Sequence, residues 1–95
     1  MIEKVLTPKI QRLRDSCEIA NCCRSSRSTV TLKLVDEARI VADGKDFIAM
    51  SFALLSYVNK EILFIVDGPD EVETMERLEN LVRAFERNSG DTMPN

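Results

Sequence analysis

Glu61-Ile62-Leu63-Phe64-Ile65-Val66 is closed by Asp67-Gly68-Pro69-Asp70, after which Val72, Met75, Leu78, Leu81, Val82 and Phe85 recur at helical spacing. An apolar run of this length, nearly unbroken by polar residues, reads as a strand with a central place in a sheet. The Gly-Pro pair behind it stops the strand. Acids then open the next segment, where the helix dipole favours them, and the apolar stripe carries a long helix to about Arg87.

The chain upstream supplies the neighbours of that strand. Thr29 to Val35 alternates and is rich in β-branched residues, with Val30, Leu32 and Leu34 on one face and Thr29, Thr31, Lys33 and Val35 on the other. This is the pattern of a half-buried strand. A second strand is expected from about Glu37 to Ala42. It leads to Asp43-Gly44, which either turns a hairpin or joins a brief extended piece from Lys45 to Ile48. Phe52, Leu54, Leu55 and Tyr57 suit a short buried helix between Ala49 and Tyr57.

The first third has two readings at its start. Met1 to Leu6 fits an edge strand, yet Ile2, Leu6, Ile10, Leu13, Cys17 and Ala20 also recur at helical spacing. Thr7-Pro8 resembles an N-cap followed by proline at the first helical position, which predicts a helix from Pro8 to about Cys23. Arg24 to Ser28 is then a polar linker. Together these elements predict one α+β domain over 1–88, its first 27 residues mainly helical, with a polar flexible tail over 89–95. Its two layers are an antiparallel sheet of three or four strands and helices on one face. The other sheet face is left wet or covered by a partner.

Composition narrows the class. The chain has 95 residues, 44% of them hydrophobic, enough for one modest core. A net charge of -3 with both signs interspersed argues against a nucleic-acid binder. The one basic cluster, Arg12, Arg14, Arg24 and Arg27, reads as a solvated helix face. No apolar run approaches a membrane span and no signal peptide opens the chain, so a cytoplasmic protein is expected. Cys17, Cys22 and Cys23 form an odd count, which favours reduced thiols that pack as small hydrophobes. Without histidine they do not offer the four ligands of structural zinc, and no metal or other cofactor is expected.

The order and spacing from Ser28 to Arg87, with Ala42-Asp-Gly-Lys-Asp-Phe-Ile-Ala-Met-Ser51-Phe-Ala-Leu-Leu and Ile65-Val-Asp-Gly-Pro-Asp-Glu71, resemble HPr. That family is the histidine-containing phosphocarrier of the bacterial sugar phosphotransferase system. The resemblance covers about two thirds of the chain and implies an HPr-like sandwich. In HPr the first strand leads into a loop with a Leu-His-Thr-Arg-Pro signature that opens the first helix. This chain has Leu6-Thr7-Pro8 at the expected junction, which implies that the loop is deleted and the first helix longer. Histidine phosphorylation needs an imidazole nucleophile and donors for the phosphoryl oxygens, and there is no histidine in the chain.

By the same resemblance, Ser51 stands at the regulatory serine that opens the short helix, where an ATP-dependent kinase acts in Gram-positive HPr. The competing reading is an ordinary N-cap. Ile48, Met50, Phe52 and Leu55 around it are apolar, as in a docking surface or a core edge; in the family this patch meets protein partners. The expected function is therefore a non-enzymatic regulatory or interaction module with protein partners, among them a serine kinase or a transcriptional or metabolic regulator. A homodimer is expected if the first strand is missing and leaves a sheet edge open. The alternatives are a small-molecule-binding regulatory domain of the ACT sort and an enzyme using the Cys22-Cys23 thiols. Against the latter stands the lack of a histidine base and of a helix N-terminus beside the thiols.

Overall fold

The structure is a computed structural model that describes residues 1–37 and 39–91, with side chains through Arg87. In chain order the elements are β1 (Ile2–Leu6), α1 (Leu13–Ser25), β2 (Thr29–Leu34), β3 (Arg39–Asp43), α2 (Phe47–Ser56), β4 (Ile62–Asp67) and α3 (Glu71–Asp91). The strands form one antiparallel sheet in the order β1-β4-β2-β3. As its apolar run predicts, β4 is central, flanked by β1 and β2.

Side-chain period two decides which face is covered. Val30, Leu32 and Leu34 of β2 and Ile62, Phe64 and Val66 of β4 are buried, while the residues between them are not. Ile19, Ala20 and Cys23 of α1, Met50 and Leu54 of α2, and Met75, Leu78, Val82 and Phe85 of α3 complete the core on that side. The result is an α+β two-layer sandwich with helices on one face of the sheet.

Three expectations are corrected at the elements' ends. Residues 1–6 resolve to the strand reading, so the edge that a missing first strand would have left open is occupied by β1. Pro8 does not start a helix: it is fully buried in the loop after β1, and its carbonyl accepts from Asn59 N at 3.3 Å. α1 begins instead at Leu13, where Asp15 reaches back past the N-cap Arg12 to accept from the backbone N–H of Gln11 at 3.3 Å. Asp43-Gly44 makes neither a hairpin nor an extended piece over Lys45 to Ile48 but turns into α2, which starts at Phe47. α3 continues to Asp91, so residues 89–91 are helical rather than tail. The rest of the expected tail, residues 92–95, lies outside the described residues, as does Ala38 of the expected second strand.

No helix of the described residues is long and apolar enough to cross a membrane. The three cysteines are free thiols, Cys23 buried and Cys17 and Cys22 half-buried. Burial pushes the Cys23 thiol up to about 12 and raises that of Cys22. Since the thiolate is the reactive form, a thiol reagent at neutral pH is expected to modify Cys17 and Cys22 and to reach Cys23 only after unfolding. Labelling of all three in the native protein, read by intact mass, would contradict the packing of α1.

Candidate functional site: the α1–α2 surface

The site is built on the junction of α1 and α2. Gly44 makes the approach possible: its N–H donates to Val30 O at 2.6 Å, and a Cβ there would sit 2.6 Å from Val30 Cβ. The next residue, Lys45, sends its ammonium into the C-terminal end of α1. It donates to Cys23 O at 3.0 Å and to Ser26 O at 2.5 Å. A cation at a helix C-terminus satisfies orphan carbonyls and complements the dipole. Across the same junction the Arg24 guanidinium lies 4.8 Å from the centroid of the Phe47 ring.

Asp46 caps α2. Its Oδ1 accepts from Ala49 N at 3.1 Å, and its carbonyl accepts from Met50 N at 2.9 Å. The N-cap reading of Ser51 is therefore corrected. Ser51 lies a full turn inside the helix, is 7% exposed, and donates its hydroxyl to Phe47 O at 2.9 Å. A serine in that position back-bonds to the preceding turn and does not meet the unpaired N–H groups of the helix start.

The four apolar candidates divide. Ile48 and Phe52, one turn apart, are each 66% exposed and form a ridge. Leu55 is half-buried beside the core. Met50 is 0% exposed and belongs to the core, so it is removed from the candidate surface. A 3.6-residue period turns Met50 about 200° from Ile48 and from Phe52, which places it inward when they point out. Phe47 and Arg24 join the ridge. They line a shallow depression of about 400 Å³ with Arg14, Cys17, Glu18 and Asn21. The sequence pattern does not mark this pair, because their meeting depends on the Gly44-Lys45 turn.

The start of α1 completes the surface. Its N-cap is Arg12, in extended conformation with no side-chain capping bond, and Leu13 beside it is exposed. Asp15 fills this helix end: it is 5% exposed and accepts from Gln11 N at 3.3 Å and from the Arg12 guanidinium at 3.5 Å. The loop expected to be deleted is present between Leu6 and Leu13. The helix-opening stretch is thus Arg12-Leu13-Arg14, and not Leu6-Thr7-Pro8.

The HPr-C-His protein of Thermoanaerobacter tengcongensis superposes on this chain with a TM-score of 0.70, over 90% of this chain and 97% of its own. The fold is HPr-like. At 14% identity the likeness is one of fold. The sequence matches no family profile, and no curated protein matches it. The chain contains no histidine.

Proposed function

We propose that this HPr-like chain is a non-enzymatic protein-interaction module that docks partners through α2 and the start of α1. The observation that carries this reading is the ridge of Ile48 and Phe52, each 66% exposed on a helix whose other apolar side chains are buried or half-buried. Large apolar side chains held in water on a rigid helix are the usual anchors of a protein interface. Phe47 under Arg24 widens the same surface.

Two features weigh against phosphoryl transfer on histidine. There is no imidazole, and the α1 N-terminus already holds a carboxylate, Asp15, where an incoming phosphoryl group would need free donors. Regulation by a serine kinase at Ser51 is the finer reading implied by the HPr resemblance. In the folded protein it would require α2 to open, because the hydroxyl is buried and bonded to Phe47 O.

The test is intact mass after two incubations. One uses phosphoenolpyruvate and the first enzyme of the sugar phosphotransferase system; the other uses ATP and an HPr serine kinase. No gain is expected in the first, and a gain there would overturn the non-carrier reading. No gain is expected in the second for the folded protein, and one that disappears in Ser51→Ala would establish serine regulation.

A further inference from the structure

α1 and α3 pack against each other and leave a groove of about 540 Å³ along their seam, in the size range of small-ligand sites. Glu18, Asn21, Cys22 and Ser25 of α1 line one wall, and Arg77, Asn80 and Leu81 of α3 the other. Asp70, just ahead of α3, accepts at 2.9 Å from the backbone N–H of Arg27, just past α1, so the two helices run antiparallel along this seam. Ser25 and Arg77 therefore close one end of the groove and Glu18 the other, about 10 Å away along α1. Cys22 and Leu81, half-buried and packed against the core, give it an apolar floor.

Hydrogen bonding along the walls is one-sided. Asn21 Oδ1 accepts from the Arg24 guanidinium at 3.1 Å, and Asn80 Oδ1 accepts from that of Arg83 at 3.1 Å. Each amide has its acceptor engaged and its NH2 group left to donate. Arg77 makes no hydrogen bond or ion pair among the described residues, although Glu73 stands one turn before it. Burial raises the Cys22 thiol, and the Arg77 charge is the largest influence opposing that rise, so the guanidinium stands close to the floor. The acids nearby have partners of their own. Glu18 lies 3.8 Å from Arg14 Nε, and the Asp70 oxygens accept from Arg27 N and Ser28 Oγ. Ser25 donates its hydroxyl to Cys22 O at 3.2 Å.

We infer that this groove binds a small organic monocarboxylate with an apolar body. The carboxylate lies at the Arg77 end, within reach of the two amide donors, and the body covers Cys22 and Leu81. The charge follows from what the walls leave unused: two NH2 groups and one guanidinium, all donors, which an anion satisfies and a cation does not. Each amide is also backed by a guanidinium on its oxygen, which polarises its N–H bonds toward an acceptor. Glu18 sets the other limit. A second acid on the ligand would come to rest against its carboxylate, so dicarboxylates are rejected. The groove is built from α1 and α3 without any residue of α2, so this inference stands whether or not the α2 reading holds.

The experiment titrates the protein with naphthalene-2-carboxylate and follows the amide shifts. They should saturate and fall on Asn21, Cys22, Ser25, Arg77, Asn80 and Leu81. Naphthalene-2-carboxamide, of the same shape without the charge, should bind roughly tenfold more weakly. Arg77→Met should cost a similar factor. Asn80→Asp keeps the acceptor for Arg83 but sets a carboxylate where the donor was, and should weaken binding at least as much. Arg87→Met makes the same charge change as Arg77→Met about 15 Å farther along α3 and should leave binding unchanged. Naphthalene-2,6-dicarboxylate should bind more weakly than the monoacid, and Glu18→Gln should recover it. All four positions are exposed, so the variants should keep the native melting temperature. At saturating ligand, alkylation of Cys22 by iodoacetamide should slow while that of Cys17 does not. The proposal is overturned by shifts that do not saturate, by equal binding of the amide, by equal loss in Arg87→Met, or by unchanged alkylation of Cys22.

Discussion

Gly68→Ala is expected to lower the unfolding free energy by about 2–4 kcal/mol. Gly68 has φ +156°, where L side chains are rarely found, and an added Cβ would stand 2.6 Å from both Cα and Oγ of Ser28. Ser28 cannot give way cheaply. It is buried, its hydroxyl donates to Asp70 Oδ1 at 2.5 Å, and it directly precedes the pairing of Thr29 with Asp67. The other Asp70 oxygen accepts from Arg27 N at 2.9 Å, so one carboxylate clasps the start of β2 to the start of α3. These two donors hold the Asp70 carboxyl below its ordinary range. Moving Ser28 aside therefore breaks the clasp and the end of the β2–β4 ladder together. Denaturant unfolding of the two proteins measures the difference; a loss under about 0.5 kcal/mol, the range of an ordinary surface substitution, would mean that the approach of the two backbones is looser than described.

What the sequence made legible follows from which physical signal dominated locally. β4 and α3 are readable because their apolar patterns are long, unambiguous and closed by turn residues. The start of α1 is not. Ile2, Leu6, Ile10 and Leu13 recur every three or four residues, the spacing of a helical stripe, but they belong to a strand, a loop and a helix start. Ile2 and Leu6 are two residues of a period-two strand that happen to lie four apart, Ile10 reaches the core from the loop, and Leu13 is exposed. The proline at position 8 reinforced the helical reading because it is equally at home at a first helical position and in a packed loop. Tertiary contact, here the Pro8 carbonyl accepting from Asn59, decided between them.

The candidate site was legible in part for a related reason. Ile48 and Phe52 stand out as apolar residues in a short helix, but sequence alone does not say which of several apolar side chains face water. α2 is apolar nearly all round, so its period carries little information about the inward direction. The cap supplies the missing phase. Asp46 accepting from Ala49 N starts the helix a turn before Ser51, which fixes Met50, Ala53 and Leu54 inside and Ile48 and Phe52 outside.

That phase makes a sharp prediction about neighbouring residues. Met50→Asp is expected to cost about 4 kcal/mol or more, because it deletes a fully buried side chain and leaves a carboxylate in the core without a partner. For a small domain of ordinary stability, about 5–15 kcal/mol, this removes much of the margin and should drop the melting temperature by tens of degrees. Phe52→Asp, two positions on, places the same charge in water and should change stability by about 0.5 kcal/mol or less. Thermal and denaturant unfolding of both variants reads the contrast directly. If Phe52→Asp were the destabilising one, α2 would be rotated from the orientation described and Met50 would return to the surface. With the expected order, Ile48→Asp and Phe52→Asp become folded proteins that lack only the α2 ridge. Any partner bound through that ridge should then lose about 2 kcal/mol of binding free energy per anchor removed.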